Sequence, residues 1–136
     1  MPAPAVITVP VTTRSHSEML NITAAVARAI PDGFDGVCVV FCPHTTAGLT
    51  INEKADPDVV ADLLLELERL VPWRNPRFQH AEGNSAAHVK ASLVGSSVTV
   101  PVREGRLLLG VWQGVFFCEF DGPRSRQVVV QLIPCH

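Results

Sequence analysis

Apolar residues fall into strand-like and helix-like rhythms along the chain. VITVPV (Val6–Val11) alternates and is rich in β-branched residues, which predicts a strand, and SEMLNI is placed to pair back with it. ITAAVARAI predicts a short helix, with Asn21 as N-cap and Pro31-Asp32-Gly33 as its stop. The continuous apolar run GVCVVFC (Gly36–Cys42) predicts a strand covered on both faces. GLTINE follows as a short alternating strand.

The strongest helical signal is DPDVVADLLLELERLVP. Asp56 suits an N-cap and Pro57 the first helical position. Val59, Val60, Leu63, Leu64, Leu67, Leu70 and Val71 form one apolar stripe opposite Asp58, Asp62, Glu66 and Arg69. A polar, proline-containing loop runs from Trp73 to about Asn84. SAAHVKASLVG then predicts a second helix, capped by Asn84 or Ser85 and closed by Gly95, with Val89 and Leu93 toward the core. Three strands are expected after it, in SSVTVPV, RLLLGVWQGVFFCEF and RQVVVQLI. Turns at Arg103-Glu104-Gly105 and Asp121-Gly122-Pro123 separate them, and Gly110 and Gly114 interrupt the long middle one. This order predicts an α+β fold, mostly antiparallel, in a single domain over residues 1–136.

Composition sharpens the picture. Hydrophobic residues make up 47% of the 136 positions and charged residues 18%, below the roughly 25% typical of soluble domains. A small domain buries a limited share of its surface, so part of this apolar area is expected between subunits. The net charge of −2 supplies no basic field for nucleic acid. No apolar run approaches a membrane span. The N-terminus lacks the pattern of a secretion signal, and the four cysteines show no CxxC spacing. A cytoplasmic protein without disulfides is the expectation.

Chemistry-bearing residues gather in two runs. HTTAGLTINEKADPD brings His44 to the end of a strand, with Thr45, Thr46, Asn52, Glu53 and Asp56 after it. HAEGNSAAHVK carries His80, Glu82, Asn84, Ser85, His88 and Lys90. Gly83 allows a tight entry to the helix, whose free N–H groups favour an anion near His88. Imidazoles with a carboxylate and an open position suit a catalytic metal, which makes His44, His80 and His88 candidate ligands. The same spacing also fits ordinary histidines with satisfied hydrogen bonds. Asp56 fits a helix cap alone. Trp112 and Gln113 fit either a pocket wall or packing, and Arg124 and Arg126 either a phosphate clamp or a solvated turn. His16 and His136 read as turn and tail residues.

The segments HTTAGLTINEKADPDV, EGNSAAHVKASLVGSSVTVPV and LLLGVWQGVFFCEFDGPRSRQVVV together resemble the YjbQ, or UPF0047, family, over nearly the whole chain from about Val6 to Ile133. The resemblance implies a two-sheet sandwich with two to three helices, assembled as a homotrimer. It implies a pocket around His44, His80 and His88, with recurrent polar residues at Asn52, Glu53, Asp56, Glu82, Asn84, Lys90, Trp112 and Gln113. Asn21 stands where the family often has aspartate. Members are described as secondary thiamine-phosphate synthases, transferases that join hydroxymethylpyrimidine diphosphate to thiazole phosphate and release pyrophosphate.

The expected site therefore has His44, Glu82, His88 and Lys90 as catalytic residues. Thr45, Asn52, Asn84, Ser85, Trp112, Gln113 and Arg124 are expected to bind a small phosphorylated or anionic substrate. The expected cofactor is a divalent ion: Zn²⁺ or another transition metal on the histidines, or Mg²⁺ for the synthase reaction. Two alternatives use the same residues, a metal-dependent hydrolase and a non-catalytic trimeric protein that binds a metal or anion.

Overall fold

The computed structural model describes residues 6–135. Eight strands and three helices follow one another as β1 (Val6–Thr12), β2 (Glu18–Asn21), α1 (Thr23–Arg28), β3 (Gly36–Phe41), β4 (Ala47–Glu53), α2 (Pro57–Leu70), α3 (Ser85–Val94), β5 (Ser97–Arg103), β6 (Arg106–Leu107), β7 (Gln113–Glu119) and β8 (Ser125–Pro134). They form a five-stranded sheet, β1-β8-β3-β5-β6, and a three-stranded sheet, β2-β7-β4. Every pairing is antiparallel, so the α+β two-sheet sandwich is as expected.

The core lies between the sheets, because alternate residues of each strand point inward. Cys38, Val40, Val100, Val128, Val130 and Leu132 from the large sheet meet Leu49, Val115 and Phe117 from the small one, with Val26 of α1 at the end. The opposite face of β7 turns Cys118 and Phe120 toward Ala87 and Ala91 of α3 and Leu67 of α2. Helices α2 and α3 thus form a third layer over the small sheet. Close approach there requires glycine at position 48, where a Cβ would stand 2.6 Å from the Gly95 carbonyl oxygen. Burial pushes the thiol of Cys38 up to about 11 and that of Cys118 up to about 12. These thiols are free and behave as small hydrophobes.

Several local expectations are corrected. SEMLNI pairs with β7, through Leu20↔Phe117, and not with β1. The middle strand is not continuous: only Arg106–Leu107 and Gln113–Glu119 are extended, and the Gln113 amide oxygen accepts a 2.8 Å bond from Gly110 N–H to close a turn between them. The first helix spans only Thr23–Arg28, but the Asn21 side chain does accept from Thr23 N–H at 3.0 Å. In the next helix Asp56 caps Asp58 N–H at 2.9 Å, a contact of about 1 kcal/mol. Asn84 precedes α3 without capping it through its side chain. On α3 the inward residues are Ala86, Ala87 and Lys90, while Val89 and Leu93 are exposed.

The central strand β3 is covered on one face only. Val37, Val39 and Phe41 point outward, beside Val129 and Ile133 of β8. Among the described residues, no other element lies over this apolar face, where Phe41 and Ile133 are 45% and 50% exposed. His136 lies outside the described residues. Among those described, no helix is long and apolar enough to cross a membrane.

Candidate functional site

A cleft of about 330 Å³ opens at one end of the sandwich. Three chain segments form it: the β3–β4 corner, the entry to α3, and the turn from β7 into β8. They contribute His44, Thr45 and Thr46; Glu82, Asn84 and His88; and Asp121, Arg124 and Arg126.

His44 stands just beyond the last β3–β8 pair, Phe41↔Val129. Its Nε2 lies 3.0 Å from both the N and O of Gln127, so it either accepts from the N–H or donates to the carbonyl. The ring also meets Phe117 edge-on, with centroids 6.3 Å apart. Burial lowers the His44 pKa, and the Arg126 charge lowers it further, so the ring is neutral at pH 7. A neutral imidazole is the form that serves as base or metal ligand.

His88 is half-buried on α3, and its ring makes no hydrogen bond to protein among the described residues. It borders the cleft and two adjoining depressions, one shared with His44 and Ser92, the other with His80 and Ser85. His80 is exposed. Its Nε2 lies 3.4 Å from a Glu82 carboxylate oxygen, and its ring centroid is 5.7 Å from that of His88. His80 thus lies beside His88, and His44 shares only the lining of the cleft and one depression with it. Among the described residues, no three His, Cys, Asp or Glu side chains converge so as to hold a metal ion.

Other expected residues are divided between this end and elsewhere. Thr45, Asn84 and Arg124 line the cleft, and Ser85 lines the His80 depression. Lys90 is buried and turned away, its Nζ 2.6 Å from Glu68 on α2. That bond, above all, holds the Glu68 carboxyl below its ordinary range. Asn52, Trp112 and Gln113 stand at the far end of the small sheet, where Asn52 pairs with Gly114; the cleft end is marked by Ala47↔Glu119. At about 3.4 Å per residue, roughly 17 Å of strand separates the two ends.

Beneath the cleft lies an ion pair of which the motif reading offered only Arg126, as a possible phosphate clamp, and missed Glu119. Arg126 donates from Nε to Glu119 Oε1 at 2.8 Å and from Nη2 to Glu119 Oε2. Thr13 Oγ1 donates to Glu119 at 2.8 Å, and Asp121 N–H donates to it at 2.9 Å. Burial pushes the Glu119 carboxyl up, but these donors outweigh it and hold the group below its usual range. A signal was present: a lone carboxylate at an inward position of the apolar strand GVFFCE. His16, read as a turn residue, stacks on Trp73 with centroids 3.5 Å apart, and its Nε2 lies 3.8 Å from Asp121.

The chain and its sandwich fold resemble known proteins. The family model described as UPF0047 protein YjbQ-like matches residues 7–135. UPF0047 protein YugU of Bacillus subtilis is 46% identical over 93% of this chain and 97% of its own length. UPF0047 protein MJ1081 of Methanocaldococcus jannaschii is 50% identical over 89% of this chain and 88% of its own. Among solved structures, the conserved hypothetical protein TT1486 of Thermus thermophilus superposes with a TM-score of 0.90 at 46% identity, covering 94% of this chain and all of that one. An uncharacterized YjbQ/UPF0047 protein of Clostridium acetobutylicum gives 0.89 at 48% identity, with coverage of 94% and 100%. The chain belongs to the YjbQ/UPF0047 family.

Proposed function

We propose that the cleft binds and transforms a small phosphorylated or anionic molecule, with His44 and His88 as its working imidazoles. The observation that carries this reading is His88. A half-buried ring without a protein hydrogen bond contributes little to the fold, yet it stands where the cleft and both depressions meet. Neutral His44 suits proton transfer, and Glu82 is the nearby carboxylate. The finer reading, from the family resemblance, is thiamine-phosphate synthase chemistry, in which cationic donors stabilise departing pyrophosphate. Arg124 and Arg126 line the cleft and would supply such donors, whereas Lys90 is engaged by Glu68. A divalent ion would be held by two imidazoles with water or substrate, because no three-ligand set is assembled among the described residues.

The test is His88→Ala, assayed with the pyrimidine diphosphate and thiazole phosphate pair and by thermal melting. Turnover is expected to fall about 10²-fold or more. The melting temperature is expected to move by less than about 4 °C, under ~1 kcal/mol for a domain of this size. Full turnover with a large drop in melting temperature would make His88 structural. Ligand binding without turnover, in the unmodified protein, would select the non-catalytic alternative.

The proposal includes assembly as a homotrimer. Its support is the uncovered outer face of the large sheet, with Val37, Val39, Phe41, Val129 and Ile133 on one side. Light scattering is expected to give three times the chain mass, and a monomer at micromolar concentration would refute it. A cytoplasmic location is proposed from the three buried free thiols, which suit a reducing compartment.

A further inference from the structure

We propose that Arg126 is the anchor of the cleft, and that the group it holds is an oxyanion, phosphate or carboxylate, on a small molecule. The inference rests on the cleft being the binding site. Arg126 is only 8% exposed, and what remains open lies on the cleft wall.

A guanidinium has five N–H donors in one plane. Nε and Nη2 are committed to Glu119, and Nη2 also donates to Thr46 Oγ1 at 2.9 Å. Fixing two nitrogens of a planar group fixes the third. Nη1 has no acceptor among the described residues, and it is not sealed from solvent. Two oriented donors therefore remain for whatever enters. Donors of a nearly buried cation call for a partner, and paired N–H groups match an oxyanion.

Arg124 is a weaker candidate. Its side chain is half exposed, with Nε on the Asp121 carbonyl and Nη2 on the Asp121 carboxylate, each within 3.0 Å. The two carboxylates on the wall are also engaged. Asp121 accepts from Arg124 and from Asn84 Nδ2, and Glu82 faces His80. Asn84 Oδ1, by contrast, is sealed from solvent and finds no donor among the described residues, so it offers nothing to an entering molecule.

The experiment titrates the unmodified protein and the Arg126→Lys, Arg124→Lys and His88→Ala variants with inorganic phosphate and, separately, acetate. Calorimetry is paired with ¹⁵N NMR of the arginine side chains. Phosphate or acetate is expected to shift the Arg126 signal in the unmodified protein. Arg126→Lys keeps the charge but loses the fork, and should weaken binding of the preferred anion by about tenfold or more. Arg124→Lys should weaken it less. The tighter of the two anions identifies the group as phosphoryl or carboxyl. A smaller loss in Arg126→Lys, or saturation without a shift of the Arg126 signal, overturns the anchor. If Arg126→Lys does not fold, the signal in the unmodified protein decides alone. Loss of binding in His88→Ala but not in Arg126→Lys sinks the anchor and leaves the cleft standing. Binding of neither anion by the unmodified protein sinks both.

Discussion

Replacing Glu119 with alanine is expected to cost about 3–5 kcal/mol of stability, the scale seen when one partner of a buried ion pair is removed. Glu119 is fully buried, and its carboxylate takes bonds from Arg126, Thr13 and the Asp121 backbone. Its loss leaves the Arg126 charge without its carboxylate and the Asp121 N–H without an acceptor, while Thr13 Oγ1 keeps only the Arg124 carbonyl at 3.1 Å. The whole stability of a domain is typically about 5–15 kcal/mol, so the variant sits near its unfolding limit. Urea denaturation measures the change, and a loss under about 1.5 kcal/mol would show the pair to be replaceable. The same group sets an acid limit. Its folded pKa is depressed, so its contribution is present above the unfolded value near 4.3 and is lost as pH falls through the folded value. Unfolding midpoints at descending pH should drop across that acidic window in the unmodified protein, and the drop should be smaller in Glu119→Gln.

Phe117→Ala is expected to lose a further sort of support, about 3–5 kcal/mol from removal of a large core side chain. Phe117 has no exposure and joins both neighbours of its sheet, pairing with Leu20 on one side and Leu49 on the other. It also supports the His44 ring by its edge contact. The variant should therefore lose stability and, below its melting temperature, release His44 from its fixed pose. Denaturation gives the first effect, and the His44 pKa by proton NMR gives the second. A ring freed from burial titrates closer to an ordinary histidine, upward from its present depressed value. A stable variant with an unmoved His44 titration would contradict both.

Rhythm and caps made much of the fold legible. The α2 stripe, Asp56 at its start and Gly95 at the end of α3 each rest on local physics. Partner choice was not legible, because alternation marks a strand without naming its neighbour; β2 joins β7 across nearly 100 positions of sequence. The break after Leu107 was hidden because LLLGVW is as apolar as a strand, although it forms a turn closed by a glutamine side chain. His44 and His88, read from a strand end and a helix start, both border the cleft. Lys90 was misleading since its charge is spent on Glu68 in another helix. Arg126 was hidden among arginines that follow a turn, and only the inward parity of Glu119 hinted at its partner.

The cleft draws its walls from positions near 44, 84 and 121, and its floor is tied by hydrogen bonds that link Thr13 to Glu119 and Thr46 to Arg126. No short stretch of the chain contains a rudimentary version of it. Contacts between such distant positions form late, after loop-closure entropy has been overcome. The cleft end of the molecule is therefore a product of complete folding, and a chain cut between α2 and β7 would lack the walls from which the cleft is built.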